Sequence, residues 1–226
     1  MTADGKRIAG GTVIGRRALL SGAAAMVTVP PHALPIPAGN RLGFDVVRGR
    51  SKLGTHVLTF EPGEGSLTVH IAVALAYRIL GVTLYRYIHH ATETWRDGEV
   101  VGIETETDDD GTRYRVSGHR ESGELVVEGT RAPRYVAPAN ALPATHWNRR
   151  ELVGPWINTQ DGRLMRPTVT RSGIEAIPAA NGTTLHARLF ALTGDVHLDI
   201  FYNDRLGWAG LSFVKDGVPI RYERQI

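Results

Sequence analysis

The stretch SLTVHIAVALAYR, residues 66–78, decides the fold. Leu67, Val69, Ile71, Val73 and Leu75 hold every second position, with Thr68, His70, Ala72 and Ala74 between them. Side chains alternate faces along a strand but return only every 3.6 residues on a helix. This spacing therefore lines five aliphatic side chains along one face of a long β-strand.

The same alternation continues on both sides, punctuated by tight-turn pairs. They stand in RDGE (residues 96–99), DDDG (108–111), ESGE (121–124), QDGR (160–163), RSG (171–173), TGD (193–195) and KDGV (215–218). Asp-Gly and Ser-Gly pairs supply the positive φ angles of two-residue hairpins, so the chain reads as a meander of long antiparallel hairpins. The pattern breaks once, at RYVAPANALPATHWNRRELVGPW (residues 134–156), where prolines and alanines predict a crossover loop with a short helical turn. Many long strands with little helix must curl to protect their edges. The expected fold is mainly β: a single antiparallel meander curled into a closed or half-open β-barrel, wrapped around one Pro/Ala-rich crossover.

Two hairpin registers follow from the turns. With Asp216-Gly217 as a two-residue turn, Lys215 pairs with Val218, Phe213 with Ile220 and Leu211 with Tyr222. With the preceding turn at Thr193-Gly194, Leu192 pairs with Asp195, Phe190 with His197, Arg188 with Asp199 and His186 with Phe201.

The N-terminal segment VIGRRALLSGAAAMVTV (residues 13–29) has a different character. Its apolar part, residues 18–29, is shorter than the ~20 residues that span a bilayer as a helix, and it follows Lys6, Arg7, Arg16 and Arg17. The Arg16-Arg17 pair before a weakly apolar run resembles a twin-arginine export signal. Residues 1–38 are thus read as signal and linker, residues 39–226 as the barrel-like domain, and the location as exported, in the periplasm or cell envelope. The export machinery is the partner this segment implies, and the mature protein is expected to have no transmembrane span.

Removing the leader changes the charge argument. The chain holds 26 Lys and Arg against 23 Asp and Glu. The leader accounts for four of the former and one of the latter, Asp4, so the remainder carries 22 of each sign. The high isoelectric point of about 9.4 belongs largely to the leader. A nucleic-acid partner is not expected, because no basic stripe marks the domain. Cysteine is absent, which removes thiol catalysis and thiolate metal sites. No cofactor motif is present: IAGGTVIG lies in the leader and follows no strand.

Few residues carry a chemical signal. His89 and His90 are neighbours on a strand and face opposite ways. His186, His197 and Asp199 share one face of the Thr193-Gly194 hairpin in the register above. They are the metal candidates, against a plainer reading of an Arg188–Asp199 ion pair. Asp108, Asp109 and Asp110 lack the alternation of a calcium loop and read as a hairpin turn. Glu93 and Glu99 read as surface acids beside the Asp97-Gly98 turn. In the crossover, His146 and Thr145 are the catalytic candidates, as base and nucleophile of a hydrolase. Trp147, Asn148 and Trp95 are the candidate ligand contacts. Trp147 is also expected to plug a barrel end, with its indole N–H bonded to backbone.

Taken together, FDVVRGRSKLGTH, ETWRDGEVVGIETETDDDGTRYRV, ATHWN and IFYNDRLGWAGLSFVKDGVPIRYE resemble a family of bacterial exported proteins of unknown function. The resemblance spans residues 44–223. Where that family tends to have Ser-His-Trp-Asn and Trp-Tyr-Asp, this chain has Thr145 and Phe201-Tyr202-Asn203. It implies export and a curved, mostly antiparallel envelope sheet, a kind of architecture that in some cases holds lipids, and it implies no mechanism. The leading expectation is a non-catalytic envelope protein that binds an apolar small molecule, a lipid or a partner protein. A hydrolase using Thr145-His146-Trp147-Asn148 and a purely structural envelope protein are the alternatives.

Overall fold

The computed structural model describes residues 34–226; the leader with Arg16 and Arg17 lies outside them. Eight strands follow one another as a meander: β1 (Arg41–Arg48), β2 (Ser51–Gly63), β3 (Ser66–Ile79), β4 (Val82–Arg96), β5 (Glu99–Asp109), β6 (Thr112–Glu121), β7 (Glu124–Gly129) and β8 (Ala132–Val136). The crossover then carries β9 (Leu142–Pro143), a 3-10 turn at Arg149–Val153, β10 (Trp156–Ile157) and β11 (Leu164–Met165). A second meander closes the chain: β12 (Thr168–Pro178), β13 (Thr184–Thr193), β14 (Leu198–Asn203), β15 (Gly207–Lys215) and β16 (Val218–Arg224).

The two meanders join where the last strand meets the first. Phe44 lies opposite Arg224 and Val46 opposite Tyr222, so thirteen strands form one antiparallel sheet with β12 and β8 at its edges. The sheet does not close, and of the two expected forms it is the half-open barrel. Four of the expected hairpin turns have both central residues at positive φ, at Asp97-Gly98, Asp110-Gly111, Ser122-Gly123 and Asp216-Gly217. The last gives the expected register of Lys215 with Val218, Phe213 with Ile220 and Leu211 with Tyr222.

Three turn readings need correction. Leu192 pairs with Leu198 and Arg188 with Tyr202, so β13 and β14 are shifted by three residues from the two-residue-turn register. Residues 194–197 form a longer loop, which lets Ile200 and Tyr202 bury. Ser172-Gly173 lies inside β12, where an irregularity between Arg171 and Ile174 absorbs the extra residues as a bulge. Asp161-Gly162 turns within the crossover, between the short strands β10 and β11.

The core follows from the alternation. Leu67, Val69, Ile71 and Val73 are buried on the concave face of β3, with Leu42, Phe44, Leu58, Phe60, Ile103 and Val116 from neighbouring strands. The crossover packs onto this same face, with Leu142, Trp147, Trp156 and Ile157 buried against it. Trp147 meets Phe60 and Trp95 edge-on, each at 5.2 Å between ring centroids. The crossover thus fills one half of the half-barrel and leaves the other open. A smaller cluster of Ile177, Ala187, Phe201 and Ala209 forms on the other side of β12–β15. Among the described residues no helix is long and apolar enough to cross a membrane.

Candidate functional site

Two buried carboxylates hold the crossover loop in place. Glu93, at an inward position of β4, is fully buried and accepts three hydrogen bonds. The indole N–H groups of Trp95 and Trp147 donate to Oε2 at 2.8 and 3.0 Å, and the Thr145 hydroxyl donates to Oε1 at 2.5 Å. Burial, opposed by these hydrogen bonds, pushes the Glu93 carboxyl up to about 7. Its reading as a surface acid is therefore overturned, and the Trp147 indole bonds a carboxylate rather than backbone. Glu99 does lie at the surface, paired with Arg120 at 2.8 Å.

Glu151 is the second carboxylate, also buried, on the 3-10 turn. It accepts the backbone N–H of His146 at 3.0 Å, and the His146 ring Nδ1 lies 2.8 Å from its Oε1. Beside a carboxylate Nδ1 carries the proton, which leaves Nε2 of a neutral ring with its lone pair free. The Tyr202 hydroxyl donates to the His146 carbonyl at 2.7 Å. These bonds hold His146 at φ +66°, in the left-handed region that a non-glycine residue enters only when its surroundings compel it.

The open half of the half-barrel contains a cavity of about 470 Å³. Its walls are the inward apolar side chains of β3 (Ile71, Val73, Leu75) and of β15 and β16 (Leu211, Phe213, Ile220). Tyr77, Tyr85, Tyr87 and Tyr222 add aromatic surface, and Arg48 and Lys215 stand towards the hairpin ends. The floor holds His56, His89, Thr145 and His146.

Strand pairing explains this floor. His56 is opposite Val73, which is opposite His89, which is opposite Thr107, so both imidazoles lie in one cross-strand row of the concave face. His89 Nδ1 lies 2.8 Å from the Thr107 hydroxyl. His56 has no such partner: both ring nitrogens are buried without a hydrogen bond. Its ring sits edge-on to Trp208 at 5.4 Å and to Tyr222 at 5.6 Å. Burial, with the charges of His146 and His89 nearby, pulls His56 down to about 3, and burial pulls His89 down to about 4. Both rings are uncharged at neutral pH, so the floor offers neutral donors and acceptors.

Of the residues singled out in the sequence, Thr145 and His146 line this cavity. Trp95, Trp147 and Asn148 do not; they belong to the packed plug, where the Asn148 Oδ1 accepts from the Arg150 N–H at 3.2 Å. The metal candidates come apart, because the three-residue shift puts Asp199 opposite Ala191 and leaves His197 in the loop before β14. The Arg188–Asp199 pair goes with them: Arg188 donates to the Ser172 carbonyl at 3.1 Å. Among the described residues, no group of three or more His, Asp or Glu side chains is placed to hold a metal ion. The sequence reading missed Glu93, Glu151, His56 and the tyrosines. For Glu93 and the tyrosines of β3 and β4 parity shows the inward side but not the partners: Tyr77, Tyr85, Tyr87, His89 and Glu93 share the inward alternation of these strands, whereas Glu151 sits on the 3-10 turn outside it.

No curated protein matches the chain. Among solved structures, the chain is similar to a β-barrel-like protein of another domain of unknown function, DUF1849, from Brucella abortus. The two are 13% identical with a TM-score of 0.56, over 82% of this chain and 94% of the other. That likeness shows the fold. Residues 44–225 match the model of a domain of unknown function, DUF6134, and the chain belongs to that family.

Proposed function

We propose that this is an exported envelope protein whose half-open barrel binds an amphipathic, mostly apolar small molecule of lipid type. The observation that carries the reading is the 470 Å³ cavity with His56 on its floor, buried and without a hydrogen-bond partner. Apolar walls with a few convergent polar groups are the usual chemistry of a ligand pocket. Leaving an imidazole unpaired in such a place costs stability that a better-packed Phe would not. A ligand hydroxyl, carbonyl or amide would supply the missing partner once the His56 ring, now covered by Trp208 and Tyr222, turns a nitrogen into the cavity. An anionic group is disfavoured there, since the His56 and His89 rings are neutral and Glu93 and Glu151 lie behind. Export is supported by the Arg16-Arg17 leader.

Native mass spectrometry of protein purified from its own envelope tests the binding. One retained amphiphile per chain, displaced by a fluorescent fatty-alcohol probe, is expected. An Ala144→Trp substitution at the cavity wall should abolish probe binding. Failure of the folded wild type to retain or bind any amphiphile overturns the reading.

One observation favours a second reading, hydrolysis. His146 is oriented by Glu151 with Nε2 free, on the wall of the same cavity, as a general base for water would be. Water would give its proton to Nε2 as it attacks a carbonyl, and the proton would pass to the leaving group. Thr145 is not arranged as the nucleophile, because its hydroxyl donates to Glu93. Identical ester-hydrolysis profiles for wild type and His146→Asn would remove this reading.

A further inference from the structure

The β3–β4 hairpin is longer than the sheet that supports it. Pairing of β3 with β2 ends at Gly54 opposite Leu75, and pairing of β4 with β5 ends at Tyr87 opposite Asp109. The last neighbour bonds are at Arg86, whose carbonyl accepts from the Asp110 N–H at 2.8 Å and whose N–H reaches Asp110 Oδ1 at 3.3 Å. Residues 76–85 therefore form a two-stranded arm with which no other strand pairs. At about 3.3 Å per residue it runs roughly 15 Å past the last paired residues.

The two faces of this arm differ. Tyr77 and Tyr85 face the cavity, under Arg48 at 4.9 Å and Lys215 at 5.3 Å respectively. A register shift after Tyr77 sets Arg78 opposite Thr83, to whose hydroxyl it donates at 3.2 Å. The tip and outer face are aliphatic: Leu80 is 100% exposed, Val82 62%, Leu84 53% and Ile79 47%. Four of the ten large hydrophobic side chains most exposed among the described residues thus fall within six positions. A soluble surface seldom gathers them this way without a use.

We infer that this arm docks the protein on the surface of a bilayer containing anionic lipid, with the cavity mouth turned towards the membrane. Charge supports that occupant over a protein partner. The arm carries no acid, and Arg78, Arg86, Arg48 and Lys215 stand on it or at the mouth beside it. Asp108, Asp109 and Asp110 at the β5–β6 turn and Asp216 at the β15–β16 turn keep their charge but stand at the base of the arm and the mouth, so the basic excess belongs to the arm itself, which carries Arg78 and no acid. Basic side chains beside aliphatic ones suit the headgroup boundary of an anionic membrane. The unpaired backbone along both edges of the arm limits docking to that boundary, since hydrocarbon would leave those groups unsatisfied. Docking needs no ligand in the cavity, so it stands or falls separately from the binding reading.

The absence of cysteine makes a site-specific test direct. The full chain with Leu80→Cys, labelled with an environment-sensitive dye, is mixed with phosphatidylglycerol–phosphatidylcholine vesicles. The control is Val153→Cys, 87% exposed and near Arg150, which reaches Gly98 at the other end of β4. A blue shift and quenching by lipid-borne quencher are expected at position 80 and not at 153. Adding Val82→Asp and Leu84→Asp should weaken partition by at least about tenfold, with fluorescent fatty-alcohol binding in the cavity unchanged. No shift at 80, an equal shift at both positions, or a shift at 80 from self-association without vesicles overturns the inference.

Discussion

The Thr145 hydroxyl donates to Glu93 across 52 residues of chain, at 2.5 Å, and this contact joins the crossover loop to the C-terminal end of β4. Glu93 can be replaced by Gln without losing a partner. The Gln oxygen accepts from both indoles, and its amide donates to the Thr145 oxygen. Ala offers nothing, strands three donors and opens a cavity, so Glu93→Ala should cost about 3–5 kcal/mol.

The same residue makes a signed pH prediction. Its carboxyl is raised to about 7 from 4.5, so the folded state favours the protonated form. That contribution is whole below pH 4.5 and is lost as pH rises through 7. Glu93→Gln lacks this dependence. Urea titrations at pH 4.5 and 8 should show wild type losing on the order of 3 kcal/mol relative to the variant over that interval.

His56 gives the opposite slope. Its folded pKa is depressed to about 3 from 6.5, so its contribution is full above pH 6.5 and is lost as pH falls towards 3. His56→Phe should remove most of this acid sensitivity, on the order of 4 kcal/mol between pH 7 and pH 3. At pH 7 it should also raise stability by about 1–2 kcal/mol, since two unpartnered nitrogens give way to ring surface among Phe44, Trp208 and Tyr222. A gain in melting temperature with a loss of amphiphile binding would identify His56 as kept for the ligand rather than for the fold.

Much of this architecture was readable locally. Alternation named β3, and Asp216-Gly217 set the β15–β16 register because a two-residue turn leaves no freedom in pairing. Thr193-Gly194 misled, because its loop is longer and the burial of Ile200 and Tyr202 fixes the register instead. Thr145 and His146 stood out as reactive side chains in a loop, and they do face the cavity. Glu93 and His56 did not, because what defines them comes from elsewhere in the chain. A lone Glu in a strand gives no sign that Thr145 and Trp147 will close over it, and His56 meets His89 only through Val73.

Gly129 marks where the crossover passes over β7. A methyl group there would lie 2.4 Å from the Asp161 carbonyl oxygen and 2.6 Å from the Gly162 Cα, both backbone atoms. The Arg131 N–H donates to that same carbonyl at 3.0 Å, so neither side can retreat freely. Gly129→Ala should cost about 1–3 kcal/mol. Faster limited proteolysis near Arg163 and Arg166, with the long strands still protected, would show that the crossover has lifted.

Backbone strain at His146 makes the last prediction. At φ +66° an L-residue is disfavoured and Gly is not, which inverts the usual preference for Ala over Gly. Both substitutions lose the ring bond to Glu151, but each keeps the backbone N–H that donates to Oε2. The difference between them therefore reads the backbone alone. His146→Gly should be more stable than His146→Ala by about 1 kcal/mol in chemical denaturation. Equal stabilities would mean that the loop relaxes out of the left-handed conformation once the imidazole is gone. The Glu151 bond would then be what imposes the strain, and the ring would face the cavity only while that carboxylate holds it.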